Sequence, residues 1–99
     1  MKLSHNKILI TGGATGIGLG LAERFISEGN TVIICGRRES VLKEAANKFP
    51  SVIIKVCDLS KKEDRTELYT WIVEHHPDLN VLVNKTIITI PYLHIRVKL

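Results

Sequence analysis

Four short apolar runs, rich in β-branched residues, recur along the chain at 7–11 (KILIT), 31–35 (TVIIC), 52–57 (VIIKVC) and 80–83 (NVLV). None of them shows the strict apolar–polar alternation of a strand with one wet face. Such runs are strands buried on both faces, and strands of that kind belong to parallel sheets. Parallel neighbours cannot be joined by a tight hairpin, so a covering helix must lie between each pair.

The intervening stretches have the helical period. Over 17–28, Ile17, Leu21 and Phe25 fall at i, i+4 and i+8 with Ala22 and Ile26 beside them, and Gly29-Asn30 is a stop signal. Over 39–48 the apolar face is Leu42, Ala45, Ala46 and Phe49, ended by Pro50. The run Ser60-Lys61-Lys62-Glu63 has the spacing of a capping box, which predicts that a third helix starts there. Leu68, Trp71 and Ile72 give that helix its buried stripe, and Pro77 closes it. The expected architecture is therefore α/β: a partial, doubly wound, Rossmann-like parallel sheet in the order β-α-β-α-β-α-β.

Between the first apolar run and the first helix lies Thr11-Gly12-Gly13-Ala14-Thr15-Gly16-Ile17-Gly18. A loop leaving a strand and entering a helix points backbone N–H groups outward, and the helix end adds about half a positive charge. That is a site for an anion, typically phosphate. Gly12 would make the turn, Gly16 would let a pyrophosphate approach the backbone, and Gly18 would let the helix pack on the sheet. The Gly-Lys-Ser/Thr of a P-loop is absent, as is G-x-G-x-x-G. A glycine-rich turn with no ligand is the competing reading.

At the end of the second strand stands Cys35-Gly36-Arg37-Arg38. In a dinucleotide fold the adenosine ribose lies there, and an acid would select the 2′-hydroxyl of NAD. The chain has no acid before Glu39 and offers two guanidinium groups, which pair well with a 2′-phosphate. NADP is the expected cofactor, NAD the less favoured one, and a solvated arginine pair at a helix start is the alternative. Asp58, after the third strand, is suited to accept from the adenine amino group, or else serves as a loop carboxylate ahead of the helix.

Composition excludes several classes. The 99 residues carry a net charge of +4, but cations and acids interleave, as in KKEDR at 61–65, and aromatics are 5%. A nucleic-acid binder would show a basic stripe with aromatics beside it, so none is expected as a partner. No apolar run reaches the ~18–20 residues a membrane helix needs. The start runs straight into the glycine loop without a signal-peptide core, which predicts a cytoplasmic protein. Cys35 and Cys57 each end a strand-like run with no metal-ligand spacing, and are read as buried thiols. His75-His76 sit at a helix end, where adjacent side chains diverge, so no metal is assigned to them.

Together these residues resemble the short-chain dehydrogenase/reductase family. Thr11 to Gly18 is similar to its T-G-x-x-x-G-I-G motif, Asp58-Leu59 to its adenine-contacting Asp after strand three, and Leu79 to Asn84 to the approach to its N-N-A-G motif. Within the family the likeness is greatest to a group of bacterial oxidoreductases. The resemblance implies a strand order of 3-2-1-4 and an NADP(H) site formed by Gly12, Thr15, Gly16, Ile17, Gly18, Arg37, Arg38, Asp58, Leu59 and Asn84.

After Asn84 the motif resemblance ends: where the family continues Asn-Ala-Gly, this chain has Lys85-Thr86-Ile87. The catalytic Ser and Tyr-x-x-x-Lys that the family uses are missing; Tyr69 is followed four residues on by Val73, and Tyr92 by Arg96. No catalytic residue is assigned. The chain reads as a dinucleotide-binding half-domain over 1–84 with a divergent apolar tail over 85–99. It is expected to be inactive alone as an oxidoreductase, the alternative being a non-catalytic nucleotide-binding or self-associating protein. The tail is β-branched through Thr86 to Ile90, bends at Pro91, then alternates from His94 to Leu99. It is expected to add a strand or hairpin beside strand four, within the chain or across a homo-oligomer.

Overall fold

The computed structural model describes residues 4–12, 16–83 and 96–97. Its elements run β1 (Lys7–Thr11), α1 (Gly16–Ser27), β2 (Thr31–Gly36), α2 (Glu39–Lys48), β3 (Ile53–Val56), α3 (Lys62–His75), β4 (Val81–Val83) and β5 (Arg96–Val97). The sheet order is β3-β2-β1-β4-β5, with every neighbouring pair parallel. The first four strands thus take the expected 3-2-1-4 order of a Rossmann-like fold.

The two faces of the sheet are covered separately, which makes the fold doubly wound. Ile8 and Ile10 of β1, Val32 and Ile34 of β2, and Val81 and Val83 of β4 pack with Ala22 of α1 and Leu42 and Ala45 of α2. The alternate residues, Leu9, Ile33, Cys35 and Leu82, face the other way and pack with Leu68 and Ile72 of α3. The period of two in a strand divides one continuous apolar run between two cores. Leu9 and Ile33 are fully buried; each such side chain contributes ~1.5–3 kcal/mol.

Helix ends follow local chemistry, with one departure from the sequence reading. The Gly29 N–H donates to the Ile26 carbonyl (3.0 Å) and the Asn30 N–H to the Phe25 carbonyl (3.1 Å), with Gly29 at φ 88°. This is a Schellman stop, where the left-handed residue is best left without a Cβ. The Ser60 capping box does not form. The helix begins at Lys62 with Lys61 as its N-cap, and no side chain bonds there. Ser60 instead donates its hydroxyl to Asp58 Oδ1 (2.7 Å), and the reach-back acid is Asp64, whose Oδ2 accepts from the Asp58 N–H (2.7 Å). The Asp58 turn holds the serine through both its N–H and its hydroxyl, so local side-chain bonding competes with the cap.

β5 pairs with β4 through Leu82↔Arg96 and Val83↔Val97. The tail therefore supplies an added strand inside the chain. Because the pairing is parallel, it is not the second arm of a hairpin with β4. The bend expected at Pro91 lies outside the described residues.

Candidate functional site

β1 has β2 on one side and β4 on the other. The chain winds outward from β1 through β2 to β3, then crosses to β4. In open parallel sheets the crevice at such a reversal, beyond the carboxyl ends of the strands, is where ligands bind. The sequence-assigned residues gather along this edge. Gly12 follows β1, Gly16, Ile17 and Gly18 lie in the first turns of α1, Arg37 and Arg38 follow β2, and Asp58 and Leu59 follow β3. Thr15 and Asn84 lie outside the described residues.

The glycine loop has the backbone that its sequence requires. Gly12 has φ 70° and Gly16 φ 58°, values an L side chain would strain by about 1–2 kcal/mol. The Gly12 N–H is tied to the Cys35 carbonyl at 3.0 Å, which anchors the turn to β2. No acid occupies the first turn of α1. The helix end therefore presents its partial positive charge uncompensated by its own side chains.

Arg37 and Arg38 are both exposed. Among the described residues neither is in an ion pair. Arg38 is the N-cap of α2 at φ −104° and ψ 110°, with no side-chain cap bond, since a guanidinium cannot accept from an N–H. Glu39 pairs at 3.4 Å with Lys43, one turn along the same helix.

Asp58 and Leu59 have structural tasks in the protein as it stands. Asp58 Oδ1 accepts from the Ser60 N–H (3.0 Å) as well as from its hydroxyl. Those two bonds, the hydroxyl first, with the nearby charges of Arg37 and Lys61, hold the carboxyl below its ordinary 3.8. Leu59 packs against the α3-side core, and its carbonyl accepts from Arg65 (2.7 Å). The loop-carboxylate reading of Asp58 thus describes one of its oxygens.

Three contributors to this edge carried no role in the sequence reading. The Thr11 hydroxyl donates to the Val83 carbonyl (3.5 Å), bridging β1 and β4 at the reversal point. The Cys57 N–H donates to the Gly36 carbonyl (2.8 Å), carrying the β2–β3 pairing up to the Asp58 turn. Asp64 orients that turn from the first turn of α3. Each acts across 6 to 72 residues, and no short motif encodes such a pairing.

Cys35 and Cys57 are free and buried, as expected. Burial, with the neighbouring Cys57 sulfur, pushes the Cys35 thiol up to about 12. Burial, then the charges of Asp64 and Glu67, pushes Cys57 up to about 11. Neither provides a thiolate near neutrality. Among the described residues no His/Cys/Asp/Glu cluster could hold a metal, and no helix is long and apolar enough to cross a membrane.

The residues present fit a dinucleotide: positive-φ glycines in the turn after β1, a helix end with no acid in its first turn, and exposed cations after β2. The fold and this edge define a Rossmann-type α/β protein. A family-wide pattern described as short chain dehydrogenase matches residues 6–94, and the chain belongs to that family. The match runs ten residues past Asn84, where the recognisable motifs end.

The uncharacterized oxidoreductase DltE of Bacillus subtilis (strain 168) is 50% identical over 84 residues, covering 85% of this chain and 33% of the relative. The L-fucose dehydrogenase of Bos taurus is 29% identical over 77 residues, 78% of this chain and 28% of that one. The chain spans about a third of the length of these relatives. Among solved structures, the Pseudomonas aeruginosa RhlG/NADP active-site complex superposes with a TM-score of 0.78 at 28% identity, over 85% of this chain and 35% of that one. The 2-keto-3-deoxy-D-gluconate dehydrogenase of Streptococcus agalactiae gives a TM-score of 0.78 at 23% identity, over 89% of this chain and 35% of the other, and shares the fold.

Proposed function

We propose that this chain forms the NADP(H)-binding portion of a short-chain oxidoreductase, with residues 1–84 as the binding half and 85–99 as an appended tail. Members of the family use nicotinamide dinucleotides, and the bound nicotinamide supplies or accepts the hydride. The residues here bind and orient. Gly12, Thr15, Gly16, Ile17 and Gly18 receive the pyrophosphate, Arg37 and Arg38 the 2′-phosphate, Asp58 and Leu59 the adenine, and Asn84 the neighbouring ribose.

One observation carries the choice of NADP. Two exposed guanidinium groups, in no ion pair with a described residue, stand at the end of β2, and the first acid after them, Glu39, is paired with Lys43. A 2′-phosphate gains paired, charge-assisted bonds there; a bare 2′-hydroxyl finds no carboxylate.

The test is fluorescence titration with NADPH and NADH. NADPH should bind more tightly, and Arg37→Ala with Arg38→Ala should remove the difference. Equal affinities in the unaltered chain would overturn the assignment. A protein made of these 99 residues contains no Tyr-x-x-x-Lys; loss of such acid–base groups lowers rates on the order of 10²–10⁴-fold. It should bind cofactor without turning over carbonyl substrates. Steady NADPH oxidation that co-purifies with the chain and disappears in Gly12→Val would contradict this.

The alternative, a self-associating protein, is tested by sedimentation. The pairing of β5 with β4 inside one chain favours a monomer at that edge.

A further inference from the structure

Away from the nucleotide edge, the opposite end of the sheet gathers a second set of titratable groups. Lys7 opens β1, His76 caps the C-terminus of α3, and Asp78 lies in the turn leading to β4. Lys7 Nζ donates to Asp78 Oδ1 at 2.8 Å and lies 3.3 Å from His76 Nδ1. An ammonium has only donors, so this contact requires Nδ1 to be unprotonated and the ring proton to reside on Nε2. The His76 ring meets Trp71 of α3 edge-on, with centroids 4.7 Å apart. Backbone bonds tie the same turn down. The Leu79 N–H donates to the His76 carbonyl (3.1 Å), the Asn80 N–H to the Lys7 carbonyl (3.1 Å), and the Lys7 N–H to Asn80 Oδ1 (2.8 Å).

We propose that His76 is the trigger of a pH-sensitive latch: as neutral imidazole it holds Lys7 and fastens the α3–β4 turn to β1, and as imidazolium it repels Lys7 and loosens that turn. The step is one proton taken from solvent onto Nδ1; Lys7 keeps its three protons and turns wholly to Asp78. Two cations 3.3 Å apart in a partly buried place repel by far more than they would in water.

Among the described residues, the charges facing the ring come from three elements. Lys7 from β1 and the adjacent His75 oppose protonation, and Asp78 from the turn favours it. Burial is the largest cause and Lys7 the next, and together they hold His76 below its ordinary 6.5. Lys55 of β3 lies 5.4 Å over the Trp71 ring, and its charge is engaged by Glu67 at 2.7 Å. The latch acts on the first residues of the β1–β4 pair, so acidification slackens that pairing from its amino end.

Trp71 is the single tryptophan, and its ring lies against those of His76 (4.7 Å between centroids) and, farther off, His75 (6.3 Å), so its emission is read with variants of both. On acidification the emission should change with a midpoint below 6.5, and amide exchange at Leu79 and Asn80, corrected for intrinsic rates, should quicken over the same range. Lys7→Met should raise the midpoint by up to about one unit, a tenfold change in proton affinity. Asp78→Asn should lower it, and this variant carries the test if Lys7→Met does not fold. His76→Gln should lose both signals; His75→Gln should keep both. A transition that survives His76→Gln, or a midpoint deaf to both charge variants, would overturn the latch. Emission that titrates while exchange stays flat would do the same, leaving His76 a quencher only.

Discussion

The two ends of the parallel sheet are built from the same strands and treat polar groups in opposite ways. At the amino end, polar groups satisfy one another. The Asn6 N–H donates to Asn30 Oδ1 (3.0 Å), Asn80 Nδ2 to Asn6 Oδ1 (2.9 Å), and Asn30 Nδ2 to the Phe25 carbonyl (3.0 Å). This chain of amides joins the starts of β1, β2 and β4. Among the described residues no buried side-chain nitrogen or oxygen lacks a partner. At the carboxyl end, the first turn of α1 has no acid, the N-cap of α2 has no side-chain bond, and Arg37 and Arg38 form no ion pair with a described residue. The amino end commits its hydrogen-bonding capacity to the fold, while the carboxyl end, although its Asp58 turn is internally bonded, leaves a helix end and two exposed cations available to the anion proposed above. Stability and binding therefore divide between the two ends.

Substitutions can break that division, and the largest effect should come from the amino end. Asn80→Ala removes the acceptor for the Lys7 N–H and the donor to Asn6. Leaving partly buried partners unmatched costs ~1–3 kcal/mol each, so a loss of about 2–3 kcal/mol is expected in denaturant unfolding, with the NADPH-to-NADH affinity ratio unchanged. A shift in that ratio would show the ends to be coupled. Next comes Gly16→Val at the carboxyl end, where φ is 58°; the left-handed backbone costs about 1–2 kcal/mol with a side chain, and dinucleotide binding should fall much further than stability does. Gly20 lies mid-helix in α1, and a Cβ there would meet nothing within 4 Å. Gly20→Ala should raise stability by ~0.5–1 kcal/mol and leave binding alone.

The smallest effects are those of pH, because the acids concerned are exposed. Asp58 and Asp78 both sit below the ordinary 3.8, Asp58 through Ser60 and Asp78 through Lys7. A carboxyl lowered in the folded state contributes stability above its unfolded value and loses it as the pH falls through the folded one. His76, held below 6.5, binds its proton more readily when unfolded, so stability should already decline as the pH drops under 6.5. Stability curves for His76→Gln and Asp58→Asn should separate the two ends. The first should flatten only the upper part of the acid slope, the second only the part below 3.8.

Much of this was legible in the residues alone. Continuous apolar runs marked β1, β2 and β4 as buried strands, whereas β3, at the sheet edge, is only half-buried and leaves Val56 exposed. Gly29-Asn30 marked a helix stop, and Gly12 and Gly16 marked a positive-φ turn between β1 and α1, because Cβ sterics, helix periodicity and burial act over a few neighbouring positions. Composition and pattern likewise placed Cys35 and Cys57 inside.

What tertiary structure decided was every choice between partners distant in sequence or equal in chemistry. Ser60 was claimed by Asp58 and not by the helix it precedes, since its hydroxyl donates to the nearby Asp58 carboxylate and Lys61 takes the N-cap position. Asp64 was coupled to Asp58, Thr11 to Val83, and Asn6 to both Asn30 and Asn80, by strand order and register, which bring together residues 6 to 74 positions apart. The tail's apolar alternation specified a strand but not its direction. Pairing Leu82 with Arg96 and Val83 with Val97 in parallel depends on where β4 presents its free edge, and that edge exists only once the sheet has been assembled.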